Sequence, residues 1–305
     1  MSGLQELQDY TFISRYARWD KEKQRRETWK EAVERVRSMM LKRYPLAETE
    51  INFAYDMMYQ KKILGSQRAL QFGGPAAEKI NARIYNCVSS YCDRPRFFQE
   101  CLWLLLCGCG AGFSVQKHHV AKLPRFSPSR IKNSLGKKKR FVIPDTIEGW
   151  SDALGVLLSS YFDDPVFPEY YSYNITFDYS KIRPKGSMLS SGVGRAPGSE
   201  GLKNAISKIR SLLDRCIKGG QKKLKPIDAY DIVMHSADAV LSGGVRRSAT
   251  ISIFSSDDEE MAKSKTGNWF TENPQRGRAN NSALLIRNET TKAEFESLMN
   301  CVKEF

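Results

Sequence analysis

Long apolar runs are missing from this sequence. The most apolar stretch, Leu102–Leu106 between Cys101 and Cys107, falls far short of the ~20 residues a membrane-spanning helix needs. The polar start, Met1–Tyr10, has no basic segment leading into an apolar one, which argues against a secretory signal. Together these absences predict a cytoplasmic protein with no membrane partner. Histidine is scarce, at three residues, and no paired CxxC occurs among the seven cysteines. Such spacing disfavours a zinc or iron–sulfur site. His118-His119 is an isolated pair whose adjacent side chains are expected to point different ways. No Lys-Ser/Thr follows the glycines of Gly108–Gly112, so they are not a P-loop, and they do not match a dinucleotide fingerprint. No internal repeat is visible.

What is present is enough for a large core. The chain has 305 residues, 41% of them hydrophobic, which excludes global disorder. Lys and Arg outnumber Asp and Glu by 48 to 34, a net charge of +14 that favours polyanionic partners. In a reducing compartment the cysteines are structural, metal-binding or redox-active.

Hydrophobic periodicity predicts helices over 20–43, 48–63, 96–107, 145–161, 202–217, 226–241 and 290–304. Strands are expected over Arg83–Ser89, Phe113–Val115, Tyr173–Phe177, Ala249–Phe254 and Leu284–Ile286, with loops over 127–140 and Lys185–Gly201. This alternation predicts an α/β architecture.

Cys87, Cys92, Cys101, Cys107 and Cys109 lie close together in sequence. Cys101 and Cys107 read as small buried apolar residues. Cys87 and Cys92 flank a strand end and a turn, where a thiol is open to a substrate. The glycines of Gly108–Gly112, of 185–201 and of Gly243-Gly244-Val245-Arg246-Arg247 suit close approach of a ligand or of backbone. The two arginines suit either a phosphate or a structural ion pair.

Several segments resemble ribonucleotide reductases, most closely the monomeric, adenosylcobalamin-dependent (class II) triphosphate reductases. Tyr85-Asn86-Cys87 is similar to that family's Asn-Cys strand, and Gly110-Ala111-Gly112-Phe113-Ser114 to its glycine-rich segment. Pro144–Trp150, Ile182–Gly186 with Ser190-Ser191-Gly192, Gly243–Ala249 and Ala279–Ser282 resemble further segments in family order. Arg15–Trp19 with Glu27-Thr28-Trp29 is similar to the helical start of the monomeric members. Cys107 and Cys109 depart from the glycines usual there.

The resemblance implies an N-terminal helical region over 1–65 and, over 66–305, the first part of a ten-stranded α/β barrel with effector-loop segments at 117–201. It implies thiyl-radical reduction of ribonucleoside triphosphates or diphosphates at C2′, with Cys87 one of the two reducing thiols. The bland alternative for Cys87 is a buried strand cysteine. Asn86 and Gly110 are implied to line the substrate. Ser66 is a phosphate contact or a helix cap, and Asp145 an effector contact or the N-cap of the 145–161 helix. Ser191, Gly192 and Arg195 fall in the loop expected to report effector identity, although Arg195 reads equally as a solvated charge.

The family's finger loop, Asn-x-Cys-x-Glu, with its radical cysteine, is not in this sequence. A fragment inactive alone is therefore expected, completed by a C-terminal half that binds most of the adenosylcobalamin. Thioredoxin or a similar dithiol is the implied reductant, with no direct nucleic-acid partner. The competing readings are a basic nucleic-acid-binding module and a non-catalytic assembly subunit.

Overall fold

The computed structural model describes residues 3–20, 22–132, 138–188, 195–241 and 249–303. Among them no helix is long and apolar enough to cross a membrane. They group into two units: residues 3–86 with Met188, and residues 87–187 with 195–303. The division falls after Asn86, so residues 66–86 group with the helical start.

The first unit holds α1 (Gly3–Arg15), a small antiparallel pair β1 (Trp19–Asp20) and β2 (Arg25–Arg26), α2 (Trp29–Arg43), α3 (Glu48–Tyr59), α4 (Gln67–Phe72) and α5 (Pro75–Lys79). The single helix expected over 20–43 starts only at Trp29. Thr28 and Glu31 set that start through a capping box: the Thr28 hydroxyl accepts from the Glu31 N–H, and the Glu31 carboxylate accepts from the Thr28 N–H at 2.8 Å. Hydrogen bonds from Arg25 and Lys23 to that carboxylate hold Glu31 well below the usual carboxylate range. Ala32, Val33, Val36 and Met39 of α2 pack with Phe12, Met58 and Leu70. The helix expected over 48–63 ends at Tyr59, leaving Ile63 exposed beyond it.

In the second unit the chain runs β3 (Cys87–Tyr91), α6 (Arg96–Cys107), β4 (Gly110–Ser114), α7 (Lys117–Val120), α8 (Pro128–Ile131), β5 (Lys138–Val142), α9 (Ile147–Ser159) and β6 (Asn174–Asp178). It continues through α10 (Glu200–Lys218), α11 (Pro226–Leu241), β7 (Thr250–Ser255), α12 (Glu259–Ala262), α13 (Trp269–Glu272), β8 (Ala279–Leu284) and α14 (Lys292–Lys303). Strands β3, β4, β7 and β8 form one sheet in that order, with every neighbouring pair parallel. A separate parallel pair joins β5 to β6.

The core lies where α6 and α11 meet the four-stranded sheet and where α9 and α10 pack behind them, with Phe97, Leu102, Phe113, Leu154, Ile206 and Tyr230 fully buried or nearly so. Gly108 ends α6 in the left-handed region, φ +91°, with its N–H donating to Leu105 O at 2.9 Å.

Several expected strands shift. Asn81–Ile84 is a 3₁₀ turn, and the strand begins at Cys87 instead of ending near it. The strand expected over Phe113–Val115 begins earlier, at Gly110, and ends at Ser114. The last strand is Ala279–Leu284, not Leu284–Ile286. Pairing with β7 places Asn280 and Asn281 in a strand despite their weak intrinsic preference for it. The stretch 127–140, expected as loop, contains α8 and the start of β5.

Candidate active site

The four-stranded sheet has one face on helices α6 and α11. Alternation along a strand sends the other side chains to the opposite face. Cys87 stands beside Gly110. In the next row Ser89, Gly112, Ile251 and Asn280 lie in register across all four strands, and beyond it come Tyr91, Ser114, Ile253 and Ser282. Cys87, Ser89, Tyr91, Ile251 and Asn280 are exposed, whereas Ala111, Phe113, Thr250, Ser252 and Ala279 on the helix side are buried. Parallel sheets are normally covered on both faces. An open face on one is thus a place for a ligand or for further chain.

Glycine shapes the floor of this face. A Cβ on Gly112 would lie 3.3 Å from Ile251 Cγ2 and 3.8 Å from Ser89 Cβ. Its absence leaves a shallow furrow between those two side chains.

The cysteines divide by exposure. Cys87 is exposed, Cys301 is half-buried, and Cys92, Cys101, Cys107, Cys109 and Cys216 are buried; none is in a disulfide. Burial pushes the Cys101 and Cys216 thiols up to about 12 and the Cys92 thiol well above its ordinary value. Because the thiolate is the reactive species, burial keeps these three inert. Cys92, expected to be open to substrate, is 0% exposed: its N–H continues the strand pairing by donating to Ser114 O at 2.9 Å, and its side chain belongs to the core with Phe97 and Cys101. The buried reading of Cys101 and Cys107 holds.

At the far end of the open face the Tyr91 ring lies 4.5 Å from the His119 ring. His119 Nδ1 is 2.9 Å from Ser114 Oγ. The rings of His118 and His119, expected to point apart, lie 3.9 Å apart because α7 is a single tight turn. Burial and then the neighbouring His118 lower the His119 pKa. Among the described residues no group of three His, Cys, Asp or Glu side chains could hold a metal ion.

Of the remaining sequence candidates, Gly110 is the register partner of Cys87. Ser66 and Asn86 belong to the first unit and are exposed. Ser66 occupies the N-cap position of α4, but its hydroxyl makes no capping bond; its carbonyl accepts from Ala69 N–H at 3.0 Å and from Leu70 N–H at 3.3 Å. Asp145 is not the cap of α9. Thr146 is, accepting from Gly149 N–H at 2.9 Å. The Asp145 carboxylate instead accepts from Arg183 Nε at 2.5 Å, in a pair whose side chains are about one-third exposed.

The loop beyond Arg183 closes on itself. Gly186 N–H donates to Ala196 O at 2.9 Å, Ala196 N–H to Ser187 O at 2.7 Å, and Arg195 Nη1 to Gly186 O at 2.9 Å. Gly186 adopts φ +92°, a left-handed conformation that favours glycine. Arg195 is therefore an exposed charge that also latches the neck of its loop. Ser191, Gly192 and the segment Gly243–Arg247 lie outside the described residues. Sequence reasoning gave no role to Arg183, Ser89, Ile251 or Asn280. The period-two pattern of Cys87–Tyr91 and Thr250–Ser255 was the signal that could have placed Ser89 and Ile251 on one face.

No family model matches the chain. It is 28% identical over 289 residues to a putative adenosylcobalamin-dependent ribonucleoside-triphosphate reductase of Mycobacterium phage D29, covering 81% of this chain and 40% of that one. It is 27% identical over 322 residues to the adenosylcobalamin-dependent ribonucleoside-triphosphate reductase of Lactobacillus helveticus, covering 85% and 43%. The chain resembles the N-terminal part of class II ribonucleotide reductases. The fold agrees: the crystal structure of a B12-dependent (class II) ribonucleotide reductase superposes with a TM-score of 0.72 at 24% identity, over 90% of this chain and 45% of that one. The chain thus spans less than half the length of these reductase relatives.

Proposed function

We propose that this chain is the N-terminal part of a ribonucleotide reductase that converts ribonucleoside triphosphates to 2′-deoxyribonucleotides. The observation that carries this reading is the position of Cys87. It is an exposed thiol, preceded by Tyr85-Asn86, on the bare face of a parallel sheet whose neighbouring strand offers only Gly110 beside it. In the overall reaction a ribonucleotide and two thiols give a deoxyribonucleotide, a disulfide and water. Cys87 supplies one thiol, and a cysteine of a C-terminal half supplies the other. Ser89 and Asn280 offer hydrogen bonds to a sugar, and the furrow at Gly112 gives it room.

Adenosylcobalamin, specified by the relatives' names, supplies the radical when bound. The open face of this chain carries a thiol, hydroxyls, a carboxamide and two isoleucines, a set that fits a ribose rather than a corrin. The C-terminal half is assigned the corrin contacts and the radical cysteine. The four parallel strands are then the first part of a ten-stranded barrel, with the open face turned inward. Asp145, Arg183, Arg195, Ser191 and Gly192 form the effector segment, and a thioredoxin-like dithiol resets the disulfide in a reducing cytoplasm.

The test reconstitutes the chain with a C-terminal half and follows dithiol-supported formation of deoxyribonucleotide. Cys87→Ser should abolish multiple turnover while leaving nucleotide binding intact, since serine keeps the size but forms no disulfide. Full turnover by that variant, or turnover by the chain alone, overturns the proposal.

A further inference from the structure

The positive charge of this chain is not spread evenly. Residues 117–225 contain 21 Lys and Arg against 9 Asp and Glu, a surplus of 12 out of the chain's 14. Part of that surplus is displayed on α10. This 19-residue helix buries Leu202, Ile206, Ile209 and Leu213 in the core. At about 100° per residue, Lys203, Lys208, Arg215 and Lys218 fall within an arc of about 140° on its other side, and all four are exposed. Ser207 and Ser211, also exposed, lie between them. Two carboxylates fall on this face: Glu200, paired with Lys203 at 2.8 Å, and Asp214, half-buried at its edge and accepting from Tyr161 OH at 2.6 Å. Among the described residues Lys208, Arg215 and Lys218 enter no ion pair.

We infer that the outer face of α10 is a docking surface for the phosphate backbone of double-stranded DNA, independent of nucleotide sequence. The inference stands apart from the reductase reading. From Lys203 to Lys218 the cations extend along about 22 Å of the helix axis. Duplex DNA carries a charge every ~1.7 Å of its axis, so such a line meets many phosphates. Serine hydroxyls between the cations add donors that phosphate oxygens accept. An anionic membrane is the poorer fit, since interfacial helices bury an apolar face in lipid and the apolar face of α10 is already in the core. A second copy fits worse still: a two-fold contact would set the same cations against themselves. The stripe exists only once α10 is folded. For that reason the basic residues look dispersed in sequence, where no nucleic-acid contact was expected.

The experiment measures binding of the whole chain to a labelled duplex of about 30 base pairs between about 50 and 200 mM salt. Two variants of equal charge are compared: Lys208→Gln/Arg215→Gln/Lys218→Gln on the stripe, and Lys30→Gln/Arg43→Gln/Lys292→Gln elsewhere on the surface. Loss of three phosphate contacts should flatten the log–log salt dependence by about 2.7 in the stripe variant only. Should the triple variant unfold early in a thermal melt, Arg215→Gln alone should flatten it by about 0.9. Equal effects of the two triple variants overturn the proposal, as does failure of the unaltered chain to bind duplex at the lowest salt. So does equal or tighter binding to a single strand, to phosphatidylserine vesicles or to polyglutamate.

Discussion

Cys87 and Gly110 stand side by side across the β3–β4 ladder, so the thiol has no side chain on its inner flank. The other cysteines near it in sequence are buried. Reactivity should follow that division. Brief treatment of the native chain with iodoacetamide, read by peptide mass spectrometry, should label Cys87 first and Cys301 more slowly. Cys92, Cys101, Cys107, Cys109 and Cys216 should resist until the chain is unfolded. Labelling of Cys101 as fast as Cys87 would contradict the picture.

Asp145 and Thr146 are neighbours with different work. Thr146→Ala removes the cap of α9 and should cost about 1 kcal/mol, visible as a lowered Tm. Asp145→Asn removes the charge that holds Arg183, in a partly exposed pair worth at most about 1 kcal/mol. The role proposed for it predicts instead that, in the chain reconstituted with a C-terminal half, its effect appears in the response to effector nucleotides. The reverse assignment, with Thr146 governing the effector response, would refute the proposed role of Asp145.

His235 on α11 is buried, and its Nδ1 has no hydrogen-bond partner among the described residues. Burial lowers its pKa to about 4; Asp231 and Asp238 oppose the shift, while Lys208 and Arg215 add to it. The unfolded chain therefore takes up this proton first as pH falls. The stabilisation is complete above about 6.5 and is lost as pH drops through about 4, a total on the order of 3 kcal/mol. Thermal melts of His235→Gln should show a smaller decline in Tm between pH 7 and pH 4 than the unaltered chain. Identical profiles would show that His235 is not the group responsible.

The large amphipathic helices were legible because their apolar faces repeat with the helical period. Leu202, Ile206 and Ile209 announce α10, and all are buried. Starts and stops set by polar side chains were harder. The Thr28–Glu31 box that begins α2 is a short signal inside a longer periodic stretch, and the hairpin before it has little apolar pattern. Only the Phe113–Ser114 end of the central strand Gly110–Ser114 was legible, because the glycines before it carry no side chain to alternate. The exposed thiol was singled out through resemblance: composition does not separate Cys87 from Cys92, and only the fold buries one of them.

The middle rung of the sheet joins Ala111 to Thr250, partners separated by about 140 residues of chain. Loops of that length close slowly. During synthesis β4 must wait with one edge unsatisfied while everything up to β7 is made. The intervening stretch contains α9, α10 and the β5–β6 pair, enough to condense first and bring its two ends together. The last part of the sheet to assemble is thus its β7–β8 side, and a chaperone would meet this protein at the waiting edge of β4.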